Sequence, residues 1–138
     1  MKELLTPKTL FPIIIIAVTF FSSCEKDKMV PPTIDLKTGP GYTSSDTHIA
    51  LNTNFTVGVV AKRTEGNDDL KTFTVTVSYD GMSDVTITTD TLTSAQAGEF
   101  TKDYPLKTRD TAGTEKYSFT VTNRDGLITT KSITITVP

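Results

Sequence analysis

From Thr33 onward the chain alternates between apolar and hydroxyl-bearing residues. Phe55, Val57, Val59 and Ala61 share one side of a pleated segment, with Thr56, Gly58 and Val60 on the other. Phe73, Val75, Val77 and Tyr79 alternate in the same way with Thr72, Thr74, Thr76 and Ser78. The pattern returns with Tyr117, Phe119 and Val121 against Ser118, Thr120 and Thr122, and with Ile133, Ile135 and Val137 against Ser132, Thr134 and Thr136. A period of two predicts strands with an apolar inner face and a polar outer one. Weaker strands are predicted at Ile34 to Lys37, Asp84 to Thr89 and Glu99 to Leu106, about seven in all with no convincing helix between them.

Turn signals separate these runs: Glu65-Gly66-Asn67-Asp68-Asp69, Tyr79-Asp80-Gly81, Ala112-Gly113 and Asn123-Arg124-Asp125-Gly126. The last is the sharpest, because Asn123 can open a turn and Gly126 can take the left-handed conformation that closes it. Short antiparallel strands at this density predict an all-β sandwich, two sheets packed face to face with interdigitating inner side chains.

The first thirty residues follow a different logic. Lys2 and Lys8 precede an uncharged run, Leu10 to Phe21 (LFPIIIIAVTFF), which ends at Ser22 and Ser23. That is the basic then apolar layout of a secretory signal. At twelve residues, interrupted by Pro12, the run is shorter than the ~20 apolar residues a spanning helix needs. Cys24, the only cysteine, follows directly, and an exported chain with one cysteine has no internal disulfide partner. The expected organisation is a signal segment over 1–23, a tether over 24–32 stiffened by Pro31 and Pro32, and one domain over 33–138. The chain from Cys24 onward carries twelve basic and fifteen acidic residues, and this mild, dispersed acidity argues against a nucleic-acid partner.

Phe21-Ser22-Ser23-Cys24 resembles a bacterial lipobox, with Phe21 standing where the family usually has leucine. The resemblance implies that Cys24 is acylated through its sulfur, with palmitate-type chains, and heads the mature protein. Two or more chains make attachment effectively permanent, since each buried methylene contributes ~0.8 kcal/mol. Glu25-Lys26-Asp27-Lys28 resembles the surface-export signal of Bacteroidota lipoproteins. Lys26 and Asp27 match it, and Lys28 departs where a second acidic residue is common. Together these imply a lipid-anchored outer-membrane location, exposed at the cell surface, with the periplasmic face as the alternative.

The stretch GTEKYSFTVTNRDG (Gly113 to Gly126) and the LITTKSITITV that follows resemble the last hairpin of bacterial immunoglobulin-like, cadherin-like and PKD-like domains. The wider chain resembles the small immunoglobulin-like modules of Bacteroidota surface lipoproteins. Tyr117 stands two residues before Phe119, the spacing of a tyrosine corner relative to a core position, although the antibody-type Trp and second Cys are missing. Asp90-Thr91-Leu92 and Asp110-Thr111-Ala112, both placed in loops by the strand pattern, look like Bacteroidota O-glycosylation acceptors, which would put sugars on Thr91 and Thr111.

Little in the chain points to chemistry. The only histidine, His48, is expected on the surface near the start of the second main strand, and no G-x-S-x-G accompanies it. One histidine and one acylated cysteine fall short of a zinc set, and no acidic loop has the calcium-binding spacing. The expectation is a non-enzymatic accessory lipoprotein without cofactor, acting through a protein partner. The alternative is a glycan-binding lipoprotein of a polysaccharide-uptake system, with Tyr42 and Tyr104 as stacking candidates.

Overall fold

The computed structural model describes residues 28–138, so the signal segment, Cys24, Lys26 and Asp27 lie outside the described residues. The strands are β1 (Thr33–Leu36), β2 (Thr47–His48), β3 (Asn54–Lys62), β4 (Leu70–Tyr79), β5 (Val85–Thr91), β6 (Glu99–Lys107), β7 (Gly113–Asn123) and β8 (Ile128–Val137). A single 3-10 turn, Ser94–Gln96, interrupts them. The architecture is all-β, in two sheets ordered β1-β3-β6 and β2-β8-β7-β4-β5.

Each alternation read from sequence becomes a buried row. Phe55, Val57, Val59 and Ala61 of β3 face Phe73, Val75 and Val77 of β4, Tyr117, Phe119 and Val121 of β7, and Ile133, Ile135 and Val137 of β8 across one shared core. The sheets meet through rings. Phe73 lies 5.2 Å from Phe100 and stacks on Tyr104 at 5.7 Å, while Phe55 meets Tyr117 edge-on at 5.3 Å. Each such pair contributes ~0.5–1.5 kcal/mol beyond its buried area.

Two turns carry the hairpins. At Asn123, the side-chain Oδ1 accepts from the backbone N–H of Asp125 (3.1 Å) and Leu127 (2.8 Å), and Gly126 takes φ 81°, the geometry foreseen for that stretch. Between β4 and β5, Asp80 (φ 51°) and Gly81 (φ 75°) are both left-handed and Met82 N–H closes on Tyr79 O at 2.9 Å. This is the primed turn whose twist matches its flanking strands.

Four expectations are corrected. Among the described residues there are eight strands, because Thr47–His48 pairs with Ile135–Thr136. That pairing is parallel, so the fold is not antiparallel throughout. His48 therefore sits on its own short strand, exposed, and not near the start of β3. A two-residue strand leaves no periodicity to read, which is why it escaped notice. Thr91 is the last residue of β5, opposite Thr72, rather than in a loop, while Thr111 does lie in the exposed β6–β7 loop.

The three-stranded sheet cannot cover the inner face of a five-stranded one. What closes the gap on the β5 side is polar: Asp90 of β5 accepts from Lys102 Nζ (2.7 Å) and Tyr104 OH (2.7 Å) of β6. At the opposite end of β5 no described residue covers Val85, which is 55% exposed.

Candidate functional site

Three polar clusters and one strand edge carry the features that could act. The first lies at the pole away from the stem. Arg109, in the loop after β6, donates from Nη2 to Asp80 Oδ1 (2.8 Å) and Ala112 O (3.3 Å), and its guanidinium lies 5.2 Å over the Tyr79 ring. Its backbone N–H donates to Glu115 Oε1 (2.8 Å), and its Nε lies 3.6 Å from the same oxygen. Glu115 is fully buried, and its Oε2 accepts from Tyr117 OH at 2.7 Å. Burial, then the neighbouring carboxylate, pushes the Tyr117 hydroxyl well above its ordinary pKa. The hydrogen bonds from Thr114 N–H and Arg109 hold the Asp80 carboxyl below the usual carboxylate range. The same hub reaches the β2–β3 loop, where Asn52 N–H donates to Arg109 O (3.1 Å) and Thr108 Oγ1 to Ala50 O (2.7 Å). Three loops are thus fixed by one buried ion pair and its neighbours.

The second cluster sits on the outer face of the smaller sheet. Gly58 is bare, and Lys37 and Tyr42 lie where its side chain would be, a Cβ there falling 2.5 Å from Lys37 Cδ and 2.8 Å from Tyr42 Cε1. Both reach Asp103 on β6, directly opposite Gly58: Lys37 Nζ donates at 2.7 Å and Tyr42 OH at 3.0 Å. The Lys37 hydrogen bond, followed by that of Tyr42, lowers the Asp103 pKa, and the same contact raises that of Lys37. Beside it, an open cleft of about 390 Å³ is lined by Asn54, Thr56, Pro105 and Lys107 over Phe55 and Leu106.

The third cluster, Asp90 with Lys102 and Tyr104, corrects the reading of Tyr104 as a stacking platform. Its ring is 4% exposed, stacked on Phe73 and covered by the Lys102 ammonium at 5.0 Å, so it presents no face to a sugar. The alternation had concealed this because Pro105 and the charged residues around it made β6 look weak. Burial raises the Asp90 pKa, but the hydrogen bonds from Lys102 and Tyr104 together outweigh it and the net direction is down. Tyr42 is half-buried with its hydroxyl occupied.

The fourth feature is β5 itself. It forms one edge of the larger sheet, with Met82 (64%), Val85 (55%) and Ile87 (44%) exposed along it and the turn before it. Among the described residues, no three or more His, Cys, Asp or Glu side chains gather where they could hold a metal, and no helix is long and apolar enough to cross a membrane.

Sequence reasoning overlooked the Arg109–Glu115 pair, yet a signal was present. Glu115 has the parity of Tyr117, Phe119 and Val121, so the alternation already pointed a carboxylate inward.

No family model matches this chain, and no curated protein sequence does. Among solved structures it is similar to the superoxide reductase (neelaredoxin) of Ignicoccus hospitalis, at 11% identity and a TM-score of 0.54, covering 79% of this chain and 81% of that one. A variant of that reductase aligns at 12% identity and a TM-score of 0.53, covering 78% and 80%. A beta-glucosidase of Listeria innocua aligns at 13% identity and a TM-score of 0.47, covering 76% of this chain and 16% of its own length. At such identities the likeness to the reductase is one of fold. It overturns the expectation that the chain is not an enzyme, which rested on the lack of a catalytic motif or metal-ligand set in the sequence: an enzyme is built on the same fold.

Proposed function

We propose that this chain is a lipid-anchored interaction module of the bacterial outer membrane, with an immunoglobulin-like domain over 33–138 that engages protein partners through the edge of its larger sheet. In this reading residues 1–23 are removed, Cys24 is acylated, and Lys26 and Asp27 direct the mature chain to the cell surface. The observation that carries it is β5, a seven-residue edge strand bearing exposed Val85 and Ile87 with neither lysine nor proline to guard it.

Other features support the finer assignments. The orders β1-β3-β6 and β8-β7-β4 correspond to the A-B-E and G-F-C neighbours of immunoglobulin-type sandwiches, while β5 departs by joining β4 rather than the smaller sheet. Tyr117 OH also reaches back to Lys107 O at 3.4 Å, in the manner of a tyrosine corner. The stem is seated where it enters the domain, with Thr64 Oγ1 donating to Pro31 O (2.6 Å) and Thr129 Oγ1 to Pro32 O. Of the two acceptor tripeptides, Asp110-Thr111-Ala112 is open in its loop, whereas Asp90 beside Thr91 is held by Lys102 and Tyr104.

Mass spectrometry of the protein from bacterial membranes tests the anchor. Acyl chains on an N-terminal Cys24 are expected, and Cys24→Ala is expected to leave the membrane fraction. An unmodified cysteine in an intact N-terminal segment refutes it. Protease treatment of whole cells separates surface from periplasmic placement. The second reading, glycan binding, rests on the cleft, where Asn54, Thr56 and Lys107 offer polar groups over Pro105 with Tyr42 nearby. Saturable binding on a glycan array, lost in Asn54→Ala, would favour it.

A further inference from the structure

The two sheets have four edges, and three of them are blunted. β1 is four residues long and β2 only two. β6 carries Pro105, which has no N–H to offer, between Lys102 and Lys107. β5 has seven residues, no proline and no lysine, and among the described residues no strand lies beyond it. Its one charge, Asp90, is already held by Lys102 and Tyr104. Of the six large apolar side chains exposed among the described residues, Met82, Val85 and Ile87 belong to this strand and the turn leading into it. A register shift against β4 leaves Ile87 unpaired between Thr86 and Thr88, so the run in regular register is Thr88 to Thr91, with Ile87 at its boundary.

We propose that β5 pairs edge to edge with β5 of a second copy, antiparallel about a two-fold axis at Thr89. This deepens the interaction reading above by naming the partner of that edge. The charges select the arrangement. A parallel, in-register pairing sets Asp90 against Asp90, which like-charge repulsion disfavours. The antiparallel pairing centred on Thr89 sets Asp90 opposite Thr88 and Ile87 opposite Thr91, so no charge meets its like, and the exposed isoleucine gains a neighbour in each copy. The interface is isologous and closes at two copies, leaving no further edge to propagate.

The geometry has a consequence for an anchored protein. A two-fold axis that reverses β5 reverses the whole domain, so the stems at Pro31 and Pro32 of the two copies leave in opposite directions. Copies paired in this way stand on two opposed membranes, and the contact is homotypic adhesion between surfaces.

The test uses the chain from Cys24 onward, coupled through the Cys24 thiol to maleimide lipid in vesicles, with vesicle aggregation read by light scattering. Wild-type vesicles are expected to aggregate. Vesicles bearing only Thr89→Lys, or only Thr89→Asp, are expected to lose aggregation, because the two-fold axis opposes like charges. A mixture of the two is expected to regain it, which also shows that both variants are folded. Dispersed wild-type vesicles, unaltered aggregation by Thr89→Lys alone, or a mixture that stays dispersed would each overturn the pairing. Because the coupling imposes attachment, absence of native acylation leaves this result standing, and failure to aggregate leaves the acylation reading standing.

Discussion

Arg109→Ala isolates what the buried ion pair contributes. The side chain is 19% exposed and its partner Glu115 fully buried, so its removal leaves a carboxylate in the interior with no cation beside it. Breaking a buried pair in this way typically costs ~3–5 kcal/mol. Glu115 keeps the Tyr117 hydroxyl and the Arg109 backbone N–H as donors, which places the expected loss from that source near the bottom of the range, at about 3 kcal/mol. The lost cation–π contact with Tyr79 adds ~0.5–1 kcal/mol. The Asp80 carboxylate of the second pair is half-exposed and screened by water, so that pair adds little. The expected total is ~3.5–4 kcal/mol, a large share of the ~5–15 kcal/mol by which small domains are stable. Urea denaturation followed by circular dichroism measures it, with a lower midpoint at unchanged slope. Adding Glu115→Gln to Arg109→Ala is expected to recover part of the loss, because the stranded charge is gone, and the pair should therefore be strongly non-additive. A loss under ~1 kcal/mol for Arg109→Ala, or strict additivity of the two substitutions, would refute the reasoning, since either would mean that Glu115 is not stabilised by its cation.

Further outcomes can be checked on the same footing. Phe73→Ala removes a fully buried ring packed on Phe100 and Tyr104 and is expected to cost ~3–5 kcal/mol in thermal or urea unfolding. Asn123→Ala deprives two backbone N–H groups of their acceptor in the β7–β8 turn; a loss of ~1–3 kcal/mol is expected, and a neutral result would mean that water replaces the side chain there. Asp80, Asp90 and Asp103 all have pKa values held below the ordinary carboxylate range, so each contributes stability that is present above that range and lost as the pH falls through the folded-state value. The urea midpoint should therefore be level from about pH 7 to about pH 5 and fall below about pH 4, with a smaller fall in Asp80→Asn; a midpoint that rises on acidification would contradict this sign.

Much of the fold is local in origin and was legible in the chain. Alternation assigned the main apolar rows of β3, β4, β7 and β8, because a half-buried strand must place apolar groups at every second position. The hairpin at Asn123 was equally legible, since its hydrogen bonds run within five residues. The address proposed for the chain rests on Cys24 and its flanks alone, without help from any fold.

Other features arise only when distant segments meet. Tyr104 reads as a free tyrosine in a polar strand until the second sheet closes over it. Arg109, Asp80 and Glu115 come from two loops and a strand, and their pairing is set by how the sheets stack. β5 alternates like other strands and becomes an edge only because the sheet ends there, with a three-stranded partner too narrow to cover it. Periodicity along one segment determines which side of a strand is buried; which strand is left without a neighbour is a property of the whole assembly of strands, and only the tertiary structure decided it.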